Sequence, residues 1–137
     1  MEKLTSKYES LIKSMHALER ALDLYKTSSG VISIAQREAY TASVIKHFEL
    51  FYEMLWKFVK WYLFQIFGTD VTGSRTIFRA CYEHKIIDEK EVKKLIEIVE
   101  IRNTTTHIYD ETFANKVAIS IIDHYKVMKK LVDLVKP

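Results

Sequence analysis

Leu4, Tyr8, Leu11, Ile12, Met15, Leu18, Leu22 and Tyr25 recur three and four residues apart, with polar residues between them. That spacing draws one apolar stripe along a helix from about residue 3 to about residue 27. Ser28-Ser29-Gly30 reads as its stop, with glycine supplying the C-cap conformation. Ser33 followed by Gln36 has the form of a capping box, and no breaker follows it until Gly68. The second helix should therefore run about 33 residues, roughly 50 Å. Between Phe48 and Phe67 its apolar positions nearly encircle it. Phe48, Phe51, Tyr52, Leu55, Val59, Tyr62 and Ile66 lie on one side, and Leu50, Met54, Trp61 and Phe64 lie elsewhere. A helix apolar almost all round is buried on more than one face. In a small protein one of those faces is expected to meet a second subunit.

Gly68 to Gly73 is loop by composition, and Ser74 is expected to cap a short third helix through about Glu83. Asp88 with Glu91 forms another capping box and opens a fourth helix, whose buried stripe reads Val92, Leu95, Ile96 and Val99. Asp110 caps a fifth, with Ala114, Val117, Ala118, Ile121, Tyr125, Met128 and Val132 as its inner face. The pattern predicts an all-α protein.

Composition narrows this picture. With 137 residues the chain is expected to be one domain over 1–137. Three glycines and one proline leave little room for turn-rich β structure. The formal charge of +3 permits contact with a polyanion without demanding it. One cysteine, Cys81, allows no intramolecular disulfide and no metal cluster, and it points to the reducing cytoplasm. The aromatic run from Phe48 to Phe67 carries Glu49, Glu53, Lys57 and Lys60, too many charges for a membrane span.

The candidate chemistry sits in Arg102-Asn103-Thr104-Thr105-Thr106-His107-Ile108-Tyr109. Continued at 100° per residue, the fourth helix places Arg102 and Asn103 on either edge of its buried stripe. A charge aimed inward needs a partner, since an unpaired buried charge is costly. Glu49 and Glu53, like charges one turn apart on the second helix, are either part of a solvated stripe or the counter-charge. His107 lies about 140° from Arg102 on an ideal helix, so the helix must give way for the two to converge. Three consecutive β-branched threonines make that the natural place. The octet could serve only for capping and surface pairing. Its groups also suit proton transfer by His107 and phosphate binding by Arg102, with Asn103 and Tyr109 adding hydrogen bonds. Without a metal-ligand set or an activated nucleophile, this combination suits metal-independent transesterification at an RNA phosphodiester.

Arg102-x4-His107-x-Tyr109 resembles the Arg-x4-His-x-Tyr motif of HEPN domains of the HepT type, also described as nucleotidyltransferase substrate-binding proteins. Phe48-Glu49-Leu50-Phe51-Tyr52-Glu53-Met54-Leu55-Trp56-Lys57 resembles the family's signature on its long second helix. Arg75, Arg79 and Ile86-Ile87-Asp88 continue the likeness in order, so that it covers roughly residues 40 to 125. The chain departs in having Ser74-Arg75 without an intervening proline, and Lys85-Ile86-Ile87 where relatives have Gly-Leu-Ile. The resemblance implies an up-and-down bundle of four long helices plus one short helix, dimerised so that two octets lie close together. It also implies a small nucleotidyltransferase as partner. No cofactor, metal or membrane is expected from the residues themselves. In toxin–antitoxin members the Arg and His carry ribonuclease activity, and the nucleotidyltransferase silences it by adding AMP to the motif tyrosine, here Tyr109. Other members are described only as substrate-binding subunits.

Overall fold

Helix boundaries follow the local chemistry. The structure is a computed structural model that describes residues 2–28, 30 and 32–137. Its helices are α1 (Glu2–Thr27), α2 (Ile34–Phe67), α3 (Ser74–Glu83), α4 (Glu89–Thr104) and α5 (Glu111–Leu134), with a 3-10 turn at Thr105–His107. Both capping boxes form. Ser33 accepts from the Gln36 N–H and Asp88 from the Glu91 N–H, and each N3 side chain reaches back to the cap. Asp110 accepts from the Phe113 N–H at 2.8 Å and so opens α5. Gly68 closes α2 in the left-handed region, at φ 68°, donating its N–H to Phe64 O at 2.9 Å. The stop expected at Ser28-Ser29-Gly30 includes Ser29, which lies outside the described residues.

The result is the all-α, up-and-down bundle of four long helices with the short α3 beside them. α1 runs along α2, α5 packs on α2 and α4, and α3 sits between α2 and α4. Leu11 and Leu18, Phe48, Phe51 and Leu55, Phe78, Leu95, Ile121 and Met128 are fully buried, so every helix feeds one core. Each such side chain contributes about 1.5–3 kcal/mol by leaving water. Polar ties join elements distant in sequence: the Tyr8 hydroxyl donates to Val132 O at 3.0 Å, and the Tyr25 hydroxyl to Asn115 Oδ1 at 2.9 Å.

Three details depart from the periodic reading. Ser74 is the first residue of α3 rather than its cap. Gly73 occupies the cap position, and the Ser74 hydroxyl instead accepts from the Tyr52 hydroxyl. The buried stripe of α4 is Leu95, Ile98 and Val99, not Ile96, because α3 and α5 together cover an arc rotated from the assumed one. On α2 the core stripe ends at Leu63, and Ile66 is half exposed. No helix among the described residues is long and apolar enough to cross a membrane.

After α3 the chain turns through Lys85 at φ 61°, the left-handed region. Lys85 N–H donates to Tyr82 O and Ile86 N–H to Cys81 O, the paired bonds of a Schellman motif. Glycine ordinarily fills that position, and a lysine there is strained by about 1–2 kcal/mol.

Candidate functional site

The stripe Leu95, Ile98, Val99 continues at the next turn to Arg102, which therefore points at α2 rather than at solvent. Its side chain is 24% exposed, and Nη1 lies 3.0 Å from Glu49 Oε2. Nε lies 3.8 Å from Glu53 Oε1, beyond hydrogen-bond reach, and is buried without a hydrogen-bond partner. The Glu49 contact therefore holds the guanidinium, and the Glu53 contact is incomplete. Glu53 is drawn two other ways: Trp56 Nε1 donates to its Oε2 at 3.1 Å, and Lys57 lies 3.7 Å off. Of the two readings of the charged stripe on α2, the structure shows the counter-charge.

The threonines end the helix as their chemistry suggests. Thr104, Thr105 and Thr106 hydroxyls reach the carbonyls of Ile101, Arg102 and Asn103 at 2.7, 2.8 and 3.2 Å. Such side-chain bonds compete with the helical ladder, and the last turn tightens to 3-10. Thr105 also accepts from Arg102 Nη1 at 2.8 Å and lies 3.1 Å from Glu49 Oε2, so its single proton is shared between that carboxylate and its own turn.

Beside this network lies an open cavity of about 310 Å³, lined by Tyr52, Glu53, Trp56, Ser74, Arg102, Asn103 and Thr106. Burial, with Glu53 nearby, pushes the Tyr52 phenol above its ordinary value, against the opposing hydrogen bond to Ser74. Asn103, expected with Arg102 at the edge of the buried stripe, is instead exposed on the rim, because only the Arg102 edge faces α2. Periodicity missed Thr105, Ser74, Tyr52 and Trp56. Tyr52 and Trp56 could have been found, since 49, 52, 53 and 56 share a helix face. Ser74 and Thr105 carried no signal beyond their places beside a cap and in a threonine run.

His107 and Tyr109 lie outside the cavity. His107 Nδ1 is 3.4 Å from the Tyr109 hydroxyl, and Tyr109 is 86% exposed. No hydrogen bond or ion pair among the described residues joins His107 to Arg102. The single chain brings Arg102, Glu49 and Glu53 together and leaves His107 and Tyr109 facing outward as a second pair. Among the described residues no group of three or more His, Cys, Asp or Glu is placed to hold a metal ion. Cys81 is buried, its thiol pushed up to about 12 by that burial, while His84 stacks on Phe67 and bonds Thr69.

Residues 6–136 match the family model described as nucleotidyltransferase substrate binding protein like. The chain belongs to that family. A search among curated proteins finds no match. Among solved structures, a protein of Thermus thermophilus superposes with a TM-score of 0.70 at 21% identity, over 88% of this chain and 99% of its own. The tri-AMPylated HEPN toxin of Shewanella oneidensis, solved in complex with MNT antitoxin, superposes with a TM-score of 0.68 at 20% identity, over 92% and 96%. A chain of a toxin–antitoxin structure with AMP-PNP gives 0.68 at 19% identity, over 92% and 97%. Likeness at these identities concerns the fold, which these structures share over 88–92% of this chain.

Proposed function

We propose that this protein is a single-domain, HepT-like HEPN partner of a small nucleotidyltransferase in a two-component, toxin–antitoxin type system, and that it is a metal-independent endoribonuclease of the cytoplasm. The observation that carries the reading is the arrangement of Arg102, His107 and Tyr109. An arginine is anchored beside an open cavity, and shortly after it in the chain a histidine and a tyrosine stand free at the surface. Family membership and the HEPN toxin bound to MNT antitoxin among the structural neighbours support it.

In this reading His107 takes the proton from a ribose 2′-OH. The 2′ oxygen attacks the adjacent phosphorus, the bond to the 5′ oxygen breaks, and that oxygen leaves with a proton, giving a 2′,3′-cyclic phosphate. Arg102 stabilises the charge growing on the phosphoryl oxygens. One histidine per chain serves one proton transfer at a time, and a homodimer supplies the second copy's His107. Leu50, half exposed and on the same turn as Glu49 and Glu53, is where a second copy would bring the two sites together. Tyr109 is the AMP acceptor. Its phenolic oxygen attacks the α-phosphorus of ATP bound by the nucleotidyltransferase, pyrophosphate leaves, and the phenolic proton is released. The added phosphate beside His107 then blocks the site.

A second reading is a non-catalytic substrate-binding subunit of a two-protein nucleotidyltransferase, in keeping with the family's substrate-binding description and favoured by the engagement of Arg102 with two carboxylates rather than with His107. RNA incubated with purified protein in EDTA separates the two. Cleavage by wild type, reduced at least a hundredfold in both Arg102→Ala and His107→Ala, is expected of the enzyme. Intact RNA in all three samples, with nucleotidyltransferase binding retained, would establish the binding subunit.

A further inference from the structure

A second cavity, of about 670 Å³, opens between α1 and α2 and shares Trp56 with the site cavity. Its floor is apolar, from Met54, Phe58 and Trp61, and its walls carry Lys7, Lys57 and Lys60. Among the described residues no acidic one lines it. The lysines stand over the indoles: Lys7 and Lys3 Nζ lie 4.8 and 5.3 Å from the Trp61 ring, and Lys57 Nζ lies 5.7 Å from the Trp56 ring. Among the described residues, Lys57 is the one of these lysines in an ion pair, with Glu53 at 3.7 Å.

An exposed indole, Trp61, and a half-buried one, Trp56, interleaved with ammonium groups, are the two components of a single-strand binding track. The rings offer faces on which any base can stack, and the ammonium groups hold the phosphates between. Cation–π contacts at an exposed site are weak, so a base can replace a lysine on the ring while that lysine turns to a phosphate. A second copy of this chain is a poor occupant. A two-fold contact centred on this groove would set each lysine cluster against its own copy. A polyanion relieves that repulsion.

We infer that the α1–α2 groove is a binding track for single-stranded RNA, with a base stacked on Trp61 and phosphates held by Lys7 and Lys60. Trp56 leads from it into the Arg102 cavity, so a strand reacting at Arg102 continues along the groove. The inference rests on the proposed ribonuclease reading only for the choice of RNA as the strand.

The test uses a fluorescein-labelled 12-nucleotide 2′-O-methyl oligouridylate, which lacks the 2′-OH and cannot be cleaved by this chemistry. Binding to the full chain is followed by fluorescence anisotropy across a salt series. Trp61→Ala is expected to weaken binding roughly tenfold and Trp61→Phe to restore most of it. The double variant Lys7→Gln/Lys60→Gln is expected to lower the slope of log K against log salt by about 1.4, two phosphates at about 0.7 each. If Trp61→Ala does not fold, the lysine variant decides alone. Wild type that fails to bind at tens of micromolar, variants that bind like wild type, or variants that change only sedimentation or capture of the nucleotidyltransferase would overturn the inference. RNA cleavage with unchanged oligonucleotide binding in the variants sinks the groove and leaves the ribonuclease reading standing. Binding lost in the variants of a protein that cleaves no RNA does the reverse.

Discussion

Arg102 owes its position to one helical turn. Three residues after Val99 and four after Ile98, it extends a buried stripe with a charge, and Glu49 answers that charge at 3.0 Å. The pair lies between two regimes. Exposed ion pairs contribute about 0–1 kcal/mol, whereas removing one partner of a fully buried pair costs about 3–5 kcal/mol. With Arg102 24% and Glu49 33% exposed, solvent screens part of the interaction. Glu49→Gln is therefore expected to destabilise the fold by about 1 kcal/mol in urea unfolding, a share of it from the Thr105 hydroxyl losing its anionic acceptor. A change within a few tenths of a kcal/mol would mean that Glu49 behaves as an ordinary surface residue. The inward aim of Arg102 was readable from spacing alone. That Glu49 rather than Glu53 holds it was not, because two carboxylates one turn apart differ only in how α4 meets α2.

Among the elements, the caps were the most legible feature. Ser33/Gln36, Asp88/Glu91 and Asp110 all close as local chemistry requires, since each bond lies within a few residues of its partner. Ser74 failed for the converse reason. Its hydroxyl is engaged by Tyr52, twenty-two residues away, and only packing of α3 on α2 supplies that partner. The α3–α4 turn carries a test of its own. Lys85 holds the left-handed position of a Schellman motif, the place that glycine ordinarily fills. Lys85→Gly relieves the strain but loosens the unfolded chain, and the first effect is expected to win by about 0.5–1 kcal/mol. Thermal unfolding should show a rise of roughly 3 °C. A fall in the midpoint would mean that the lysine makes compensating contacts.

For the whole molecule, α2 determines what remains available for partners. Its inner face is consumed by α1, α3 and α5, while Leu50, Trp61 and Phe64 stay 51%, 37% and 50% exposed on the outside. The proposed dimer uses the Leu50 end and the proposed RNA track the Trp61 end, so the two assignments can be perturbed separately. Sedimentation velocity at tens of micromolar is expected to give a dimer for wild type and a monomer for Leu50→Glu, with RNA cleavage lost alongside. A wild-type monomer would remove the second copy's His107 from the proposed chemistry and with it the explanation for the exposed outer face.

Sequence alone determined the all-α class, the helix order, the N-caps of α2, α4 and α5 and the place where α4 gives way, because each is set by interactions reaching at most a few residues along the chain. It also placed Arg102 on an inner stripe, since helical periodicity needs no knowledge of the neighbour. Tertiary structure decided the rest: that Glu49 and Thr105 receive the guanidinium, that Ser74 serves Tyr52, and that Trp56 joins two cavities. It also showed His107 and Tyr109 turned away from Arg102 to the surface. These depend on where separate helices meet, and the crossing of α2 with α4 is fixed by how their side chains pack, not by either helix read alone.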